Sequence, residues 1–325
     1  MTGQLATVFG GSGFVGRYVV RELAKRGWRV RVAVRRPHHA QFLRPMGAVG
    51  QIQLVQANVR DAASARSAAD GADAVVNCVG ILFETGRQRF ASVQADGAAR
   101  LAEAAADAGA ASLIHVSAIG ANADSDSAYA RTKGLAEANV RRAFLSATIL
   151  RPSIVFGPED QFFNRFADMA RFSPALPLIG GGETRFQPVY VDDVADAVCA
   201  AIERAEAKGR TFELGGPRVY TFKELLRLML KETRQKRFFA PVPFAVAPLV
   251  GLAGEVAGVL PFLDPPITRD QIKLLKSDNV VGASGEADVG SIRDLGVEPT
   301  ALEAIVPSYL ARYRKYGQFN EDAAA

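Results

Sequence analysis

The first 36 residues combine a strand, a glycine-rich turn, a helix and a second strand, and this order constrains the fold more than any other feature of the chain. An apolar run over 5–9 leads into the turn Gly10-Gly11-Ser12-Gly13-Phe14-Val15-Gly16, and a helix with one apolar face follows. Glycines alone would also suit an ordinary tight turn. The flanking strand and helix favour a ligand site, because the helix N-terminus presents unpaired N–H groups. The pattern therefore predicts a site for the pyrophosphate of a dinucleotide.

The end of the second predicted strand indicates which dinucleotide binds. A site for NAD usually has Asp or Glu about 20 residues beyond the glycines, whereas arginine there accommodates the 2′-phosphate of NADP. This chain has Arg35 and Arg36 at that position, and Arg17 directly follows the turn. Other basic residues of this region are expected to be solvated surface charges: Arg21, Lys25, Arg26 and Arg29. We predict NADP(H) as the cofactor.

Apolar runs of strand length alternate with helical patterns through the first half of the chain. The predicted strands lie near 5–9, 29–34, 51–57, 73–79, 112–117 and 146–151. Helices such as 14–26, 90–109 and 127–144 lie between them. This alternation predicts an α/β protein with a Rossmann-type doubly wound parallel sheet.

Glycines and prolines interrupt this alternation between 156 and 190. A helix near 192–206 and a strand near 211–214 then resume it. We therefore expect an NADP(H)-binding core at 1–155, to which 191–215 returns. The remaining residues, 156–190 and 216–325, are expected to form a smaller, discontinuous C-terminal lobe for substrate binding or docking.

The composition is that of a globular protein, with 49% hydrophobic and 22% charged residues. The net charge of +5 is accompanied by no helix-turn-helix, zinc-ligand spacing or aromatic RNA-binding motif, so we predict neither a nucleic-acid partner nor a metal site. Cys78 and Cys199 form no CxxC pair, which indicates a reducing compartment. Because the first strand begins almost at Met1, we expect a chain without a leader, either cytoplasmic or already mature.

A second group of residues predicts acid–base chemistry. Tyr129 and Lys133 lie four residues apart in a predicted helix and share a face. A lysine ammonium within ~4–6 Å would lower the tyrosine pKa from about 10 towards the operating pH. Ser117 ends the fifth predicted strand and is placed to hydrogen-bond the reacting oxygen. Each residue alone suits a packing or surface role, but together, at the carboxyl edge of a sheet, they predict a catalytic site.

The three glycines, the strand-end serine and the Tyr-x-x-x-Lys pair resemble the extended and atypical short-chain dehydrogenase/reductases over nearly the whole chain. The resemblance implies that Tyr129 donates or accepts the proton and that Lys133 also holds the nicotinamide ribose. It implies that the segment 151–157, with Pro152 and Ser153, lines the nicotinamide. Further nucleotide contacts follow from the same resemblance: Val79, Gly80, Asn58 and Val59. The family usually has an acidic residue at the adenine position where this chain has Asn58-Val59, and an amide can still bond adenine.

Three segments resemble more particularly the NADPH-binding accessory subunit of respiratory complex I and its bacterial relatives. They are 7–20, 156–167 and 185–194, and the last two are less widely shared than the first. This resemblance implies complex I subunits as partners, with a structural or assembly role at the membrane-facing side. Because no transit peptide is recognised, it also implies a bacterial source.

The segment 238–263 contains one charged residue, Glu255, and is otherwise largely apolar. Four prolines interrupt it, so we do not expect it to span a bilayer. Basic residues precede it: Lys231, Arg234, Lys236 and Arg237. Contact with an anionic membrane surface and packing onto the core both remain open. Membrane contact would place the protein peripherally on the cytoplasmic face of the inner membrane.

Two functions therefore stand side by side. The first is an NADP(H)-binding accessory or assembly protein of complex I. The alternative is an active NADPH-dependent oxidoreductase or epimerase that uses Ser117, Tyr129 and Lys133 on a small, lipophilic carbonyl or hydroxyl compound. A redox-sensing module of the kind that has lost its tyrosine is disfavoured, because Tyr129 is retained.

Overall fold

A computed structural model describes residues 3–257, 267–315 and 317. The described chain divides into two compact units. The first takes the residues up to Pro152, then Val191–Leu214 and Ser284–Pro299. The second takes Ser153–Tyr190 and the described parts of Gly215–Ala283 and of the chain from Thr300 onward. The segment Ser284–Pro299 differs from the sequence interpretation, which assigned it to the smaller lobe.

Both units contain strands and helices, which are numbered in chain order. The strands are β1 Leu5–Phe9, β2 Arg29–Val34, β3 Ile52–Gln56, β4 Ala74–Asn77, β5 Ser112–Val116, β6 Thr148–Pro152, β7 Val155–Phe156, β8 Ala175–Ile179, β9 Arg185–Phe186, β10 Val189–Tyr190, β11 Thr211–Leu214, β12 Tyr220–Thr221, β13 Phe238–Val242 and β14 Val289–Ser291. The helices are α1 Phe14–Lys25, α2 Ala62–Ala69, α3 Asp96–Asp107, α4 Ala128–Ala143, α5 Phe163–Phe172, α6 Val191–Glu203, α7 Phe222–Glu232, α8 Ala247–Ala257, α9 Arg269–Leu274 and α10 Leu302–Leu310.

An eight-stranded sheet forms the centre of the first unit, in the order β14-β11-β6-β5-β4-β1-β2-β3. All its strand pairs are parallel. Every residue of β4 and β5 is buried, as expected for central strands covered on both faces. The predicted Rossmann-type doubly wound α/β fold is confirmed. Because the strands are parallel, the segments that follow them meet at one edge of the sheet.

The edge strand β14 was not predicted. It has only three residues, too few for a periodic pattern, and the second of them is Gly290. A Cβ at Gly290 would lie 2.5 Å from Cδ1 of Phe212 on the neighbouring strand, so glycine makes room for that ring. The strand joins the sheet through close packing that has no signature in the sequence.

The second unit has small strand pairs and an aromatic core. Its strands pair as β7 with β10, β9 with β12, and β8 with β13. Phenylalanines from α5, α7 and the neighbouring loops contact one another in its centre. Of the predicted apolar segment 238–263, the described part forms β13 and α8, while 258–263 lies outside the described residues. Among the described helices, none is both long and apolar enough to cross a bilayer.

Candidate functional site

The glycine turn follows β1 and lies against the end of β4. Gly10 has a φ of +76°, which glycine adopts without strain, and its N–H donates to the Ala33 carbonyl at 3.1 Å. A Cβ at Gly10 would lie 3.1 Å from the backbone of Cys78 and Val79. At Gly16 a Cβ would lie 2.3 Å from the Gly10 carbonyl oxygen, because the first turn of α1 packs directly on the glycine turn. Both positions therefore require glycine.

The N-terminus of α1 has no side-chain cap. Gly13 is the N-cap residue, in extended conformation, and no side chain caps the helix there. The first turn also contains no acidic residue. The first N–H groups of α1 thus keep the positive end of the helix dipole open to an anion.

Arg17 lies along the same turn. Its Nε donates to the Gly13 carbonyl at 3.2 Å and its Nη2 to the Ser12 carbonyl at 3.3 Å. The guanidinium also stacks on the ring of Phe42, with 5.0 Å between Cζ and the ring centroid. Arg17 therefore adds a fixed positive charge beside the turn.

Arg35 and Arg36 follow β2 and are exposed. Among the described residues, no carboxylate lies within ion-pair distance of either guanidinium. Two other arginines of this region were expected to be solvated, and that expectation is wrong. Arg21 pairs with Asp192, and Arg26 pairs with Asp196 at 2.9 Å and with Glu203 at 3.1 Å. These carboxylates come from α6, which packs on α1 and is far from it in sequence, so the pairing has no local signal.

Asn58 follows β3, and its side-chain oxygen is already occupied. Oδ1 accepts from the N–H of Arg60 at 3.1 Å and from its Nε at 3.5 Å. The amide group of Asn58 therefore remains as the donor towards a ligand. Val59 packs close to α3, where a Cβ at Gly97 would lie 3.2 Å from Val59 Cγ2. The sequence analysis did not predict that Arg60 contacts Asn58. The spacing of two residues between them was the available indication of this contact.

The residues after β4 lie next to Lys133. The N–H of Val79 donates to Oδ1 of Asn77 at 3.0 Å. A Cβ at Gly80 would lie 3.7 Å from Nζ of Lys133, so two segments predicted separately are brought together. Asn77 in turn donates from Nδ2 to Nδ1 of the buried His115 at 3.0 Å. Burial lowers the pKa of His115 to about 3, with the charges of Lys133 and Arg141 acting in the same direction.

Tyr129 and Lys133 lie in α4, but the predicted acidification of the tyrosine is wrong. The ring of Tyr129 packs edge-on against Phe90, with centroids 5.9 Å apart, and desolvation raises its pKa to about 12. Nζ of Lys133 is directed at the Val116 carbonyl, to which it donates at 3.0 Å. Burial lowers the pKa of Lys133 to about 8, against the opposing effect of Glu137. Removal of the phenolate from water thus outweighs any help from the lysine.

Ser117 makes a contact that the sequence did not indicate. Its Oγ donates to Oε1 of the buried Glu137 at 2.5 Å. A serine hydroxyl has a single proton, so Ser117 is left with only acceptor capacity towards other groups. The predicted donation from Ser117 to a reacting oxygen therefore does not fit this arrangement.

Arg151 completes this buried group. It donates to Glu137 through Nε at 2.9 Å and Nη2 at 2.7 Å, a two-point contact. Its Nη1 pairs with the exposed Glu286 at 2.8 Å. Glu137 follows Lys133 by four residues on the same helix. This spacing could have indicated that Glu137 lies on the same face as Lys133, near the site.

Pro152 and Ser153 were predicted together but belong to different units. The carbonyl of Pro152 accepts from the N–H of Ile119 at 3.0 Å. In the second unit, Oγ of Ser153 donates to Oδ1 of Asn279 at 2.7 Å.

Together, the glycine turn, the start of α1 and the nearby arginines fit a dinucleotide. Gly10 and Gly16 leave no side chain over the backbone, α1 presents an uncapped N-terminus, and arginines lie at the ends of α1 and β2. These features suit a site for the pyrophosphate of a dinucleotide.

Known proteins share both the sequence and the fold. Residues 6–215 match the model of the NAD dependent epimerase/dehydratase family. A mitochondrial protein of Mus musculus, NADH dehydrogenase [ubiquinone] 1 alpha subcomplex subunit 9, is 35% identical over 318 residues, which are 97% of this chain and 82% of that protein. A ceramide reductase of Caulobacter vibrioides is 34% identical over 225 residues, 69% of this chain and 68% of that protein.

A solved structure with the same fold is dTDP-glucose 4,6-dehydratase from Streptomyces venezuelae, with NAD bound. It superposes with a TM-score of 0.68 at 20% identity and covers 95% of this chain and 97% of the other. The family match spans the glycine turn, the uncapped helix and the Tyr129–Lys133 pair described above. This chain belongs to the NAD dependent epimerase/dehydratase family.

Proposed function

We propose that this protein holds NADP(H) as a lasting part of its fold and serves as an accessory subunit of a complex I-type NADH dehydrogenase. The observation that carries the proposal is the 35% identity with a subunit of that enzyme along 97% of the chain. Similarity of this extent includes the second unit, in which the segment 156–167 and residues 185–190 lie. The role is structural or assembly-related.

The first unit supplies the groups that would hold the nucleotide. Backbone N–H groups of Gly10–Gly16 bind the pyrophosphate, and three arginines bind the 2′-phosphate: Arg17, Arg35 and Arg36. Asn58 and Val59 contact the adenine, Val79 and Gly80 pass beside the nucleotide, and Lys133 with Tyr129 holds the nicotinamide ribose. Pro152 lies at the nicotinamide end, and the role of Ser153 stays a prediction of the resemblance. When bound, the nicotinamide supplies hydride chemistry.

The polar contacts of the site favour holding over turnover. Reduction of a carbonyl needs donors at its oxygen, and the single proton of Ser117 is directed to Glu137 at 2.5 Å. Tyr129, with a pKa of about 12, is a weak acid near neutral pH. These contacts therefore favour a site that holds the nucleotide over one that transfers a proton.

The second unit carries features that suit an anionic membrane surface. Phe238 is 80% exposed and Leu249 is 68% exposed, in β13 and α8. Glu255, the acidic residue of this segment, is neutralised by Arg269 at 2.9 Å. Exposed basic residues precede the segment: Lys231, Arg234 and Lys236. Apolar side chains beside lysines and arginines favour binding at a negatively charged bilayer.

The proposal is tested by tagging the protein at its native level and purifying it from a mild detergent extract. We expect subunits of NADH dehydrogenase to co-purify, and NADP(H) to be released when the purified protein is denatured with acid. A solitary protein that oxidises NADPH in the presence of a carbonyl compound would contradict the accessory role. A matched extract from cells with the tag alone is the control.

A second function is favoured by the similarity to the ceramide reductase, which is 34% identical. In this alternative the protein reduces a lipophilic carbonyl compound with NADPH. Ser117 would first have to exchange Glu137 for the substrate oxygen. NADPH oxidation that depends on added long-chain ketone and is lost in Tyr129→Phe would support this alternative.

A further inference from the structure

Helix α4 holds the end of β5 through two successive turns. Lys133 donates from Nζ to the carbonyl of Val116 at 3.0 Å. Glu137, four residues later, accepts from Oγ of Ser117 at 2.5 Å. All four residues are buried. One cation and one anion of the same helix face thus fix two consecutive residues at the carboxyl edge of the sheet.

Glu137 is itself held rigidly. Arg151 grips both of its carboxylate oxygens, at 2.9 and 2.7 Å, from the neighbouring strand β6. Arg141 approaches Oε2 at 3.7 Å from the next turn of α4. A two-point guanidinium contact fixes both the position and the plane of a carboxylate. The negative charge near Lys133 is therefore fixed in place.

Two titratable groups beside Lys133, Cys78 and His115, do not change charge near neutral pH. The neighbours of this cluster are Tyr129, Glu137 and Arg141 of α4, Cys78 after β4, His115 of β5 and Arg151 of β6. Burial raises the pKa of Cys78 to about 12 and lowers that of His115 to about 3, so both are neutral between pH 7 and 10. Burial lowers the pKa of Lys133 to about 8, and the charge of Glu137 opposes this decrease. Glu137 thereby supports the protonated form of Lys133.

We propose that Glu137 is a positioning residue of the nucleotide site: it holds Ser117, and with it the strand end at Val116 that fixes Lys133 where this side chain would hold the nucleotide ribose. The inference rests on the proposed function, since it assumes that Lys133 holds the ribose. Glu137 acts through Lys133 and makes no contact with the nucleotide itself. Its loss is therefore expected to change the pH dependence of nucleotide binding.

The test is the dissociation constant of NADPH for the full-length protein, measured between pH 7 and 10. This range lies above the titration of the 2′-phosphate near about 6. For the wild type, binding should weaken about tenfold or more as pH rises through the pKa of Lys133. In Glu137→Gln the midpoint should move to lower pH by about one unit. In Lys133→Met the transition should disappear.

Glu286→Gln is the matched control, because it removes the outer partner of Arg151 and leaves Glu137 in place. It should keep the wild-type midpoint. If Glu137→Gln does not fold, the double variant Glu137→Leu with Arg151→Met replaces the buried pair by apolar side chains, an exchange that proteins often tolerate. Because it removes the Arg151 cation together with the Glu137 anion, it should shift the midpoint in the same direction, but by less than the shift expected for Glu137→Gln.

The outcomes separate the two proposals. A wild type that binds no NADPH at any pH would overturn the proposed function. A wild type that binds NADPH, with variants at Glu137 that weaken binding equally at every pH, would overturn the role of Glu137 alone. A uniform loss of that kind is what a purely structural contact produces.

Discussion

Arg35 and Arg36 differ from the other arginines of the first 36 residues in what surrounds them. Arg21 and Arg26 are neutralised by carboxylates of α6, and Arg31 donates to the carbonyl of Ala68 at 2.9 Å. The two arginines after β2 are exposed at the carboxyl edge of the sheet, where a dinucleotide ribose would lie. Arg35 and Arg36 are therefore available to a phosphate group bound at this edge, such as the 2′-phosphate that we propose.

Arg35→Asp should weaken NADPH binding about 10- to 100-fold and change NADH binding little. The reason is the loss of one charge-assisted hydrogen bond to the 2′-phosphate, at about 1.5–3 kcal/mol. Titration of both nucleotides by intrinsic fluorescence measures the ratio. Arg29→Asp makes the same charge change at the opposite end of β2 and should leave the preference unaltered. Equal losses for NADPH and NADH in Arg35→Asp would contradict a 2′-phosphate site.

The buried His115 should make the protein sensitive to acid. Its folded pKa of about 3 lies below the unfolded value, so the unfolded chain binds more protons between pH 6.5 and 3 and stability falls as pH falls through this window. Between pH 7 and 5 this group should cost about 2 kcal/mol of unfolding free energy. Urea unfolding of His115→Gln at both pH values should show a loss smaller by that amount. His38→Gln, at an exposed histidine, should behave like the wild type.

The segment 156–167, one of those that resemble complex I subunits, contains the start of α5. The carboxylate of Asp160 accepts hydrogen bonds there. Asp160 accepts from the N–H groups of Phe162 at 2.9 Å and Asn164 at 3.2 Å, and from the Tyr309 hydroxyl at 2.6 Å. It thereby accepts from N–H groups at the start of α5 and ties this helix to α10. Asp160 therefore has a structural role in the second unit.

Asp160→Asn should therefore destabilise the protein by about 1–3 kcal/mol. The amide replaces one acceptor oxygen with a donor, which leaves buried N–H or O–H groups without an acceptor. Thermal and urea unfolding measure the change. Asp168→Asn in the same helix is the control, because Asp168 is exposed and its ion pair with Arg171 is long, at 3.7 Å. A stability of Asp160→Asn equal to that of the control would show that the carboxylate is dispensable.

Across the whole chain, the sequence predicted where the strands lie better than it predicted which hydrogen bonds the site residues make. Apolar alternation located the strands from β1 to β6, and β11, because each is long enough to show its period. The return of Ser284–Pro299 to the first unit depends on packing beside β11, which no local pattern reveals. In the site, Ser117 follows β5 and Lys133 lies in α4, the elements in which the sequence predicted them. The direction of their protons depends on Glu137, Arg151 and burial, which appear only in three dimensions.

The exposed apolar side chains of the second unit lead to a prediction about membranes. The full-length protein should co-sediment with vesicles that contain anionic phospholipid and should bind less as salt rises, because basic residues contribute to the attraction. The double variant Phe238→Ser with Leu249→Ser should lose most of this binding, since two large apolar groups no longer enter the interface. Leu145→Ser, at a leucine that is 88% exposed in the first unit, controls for loss of surface apolar area. If the wild type fails to bind anionic vesicles at moderate salt, or if the double variant binds like the wild type, these side chains serve a protein contact instead.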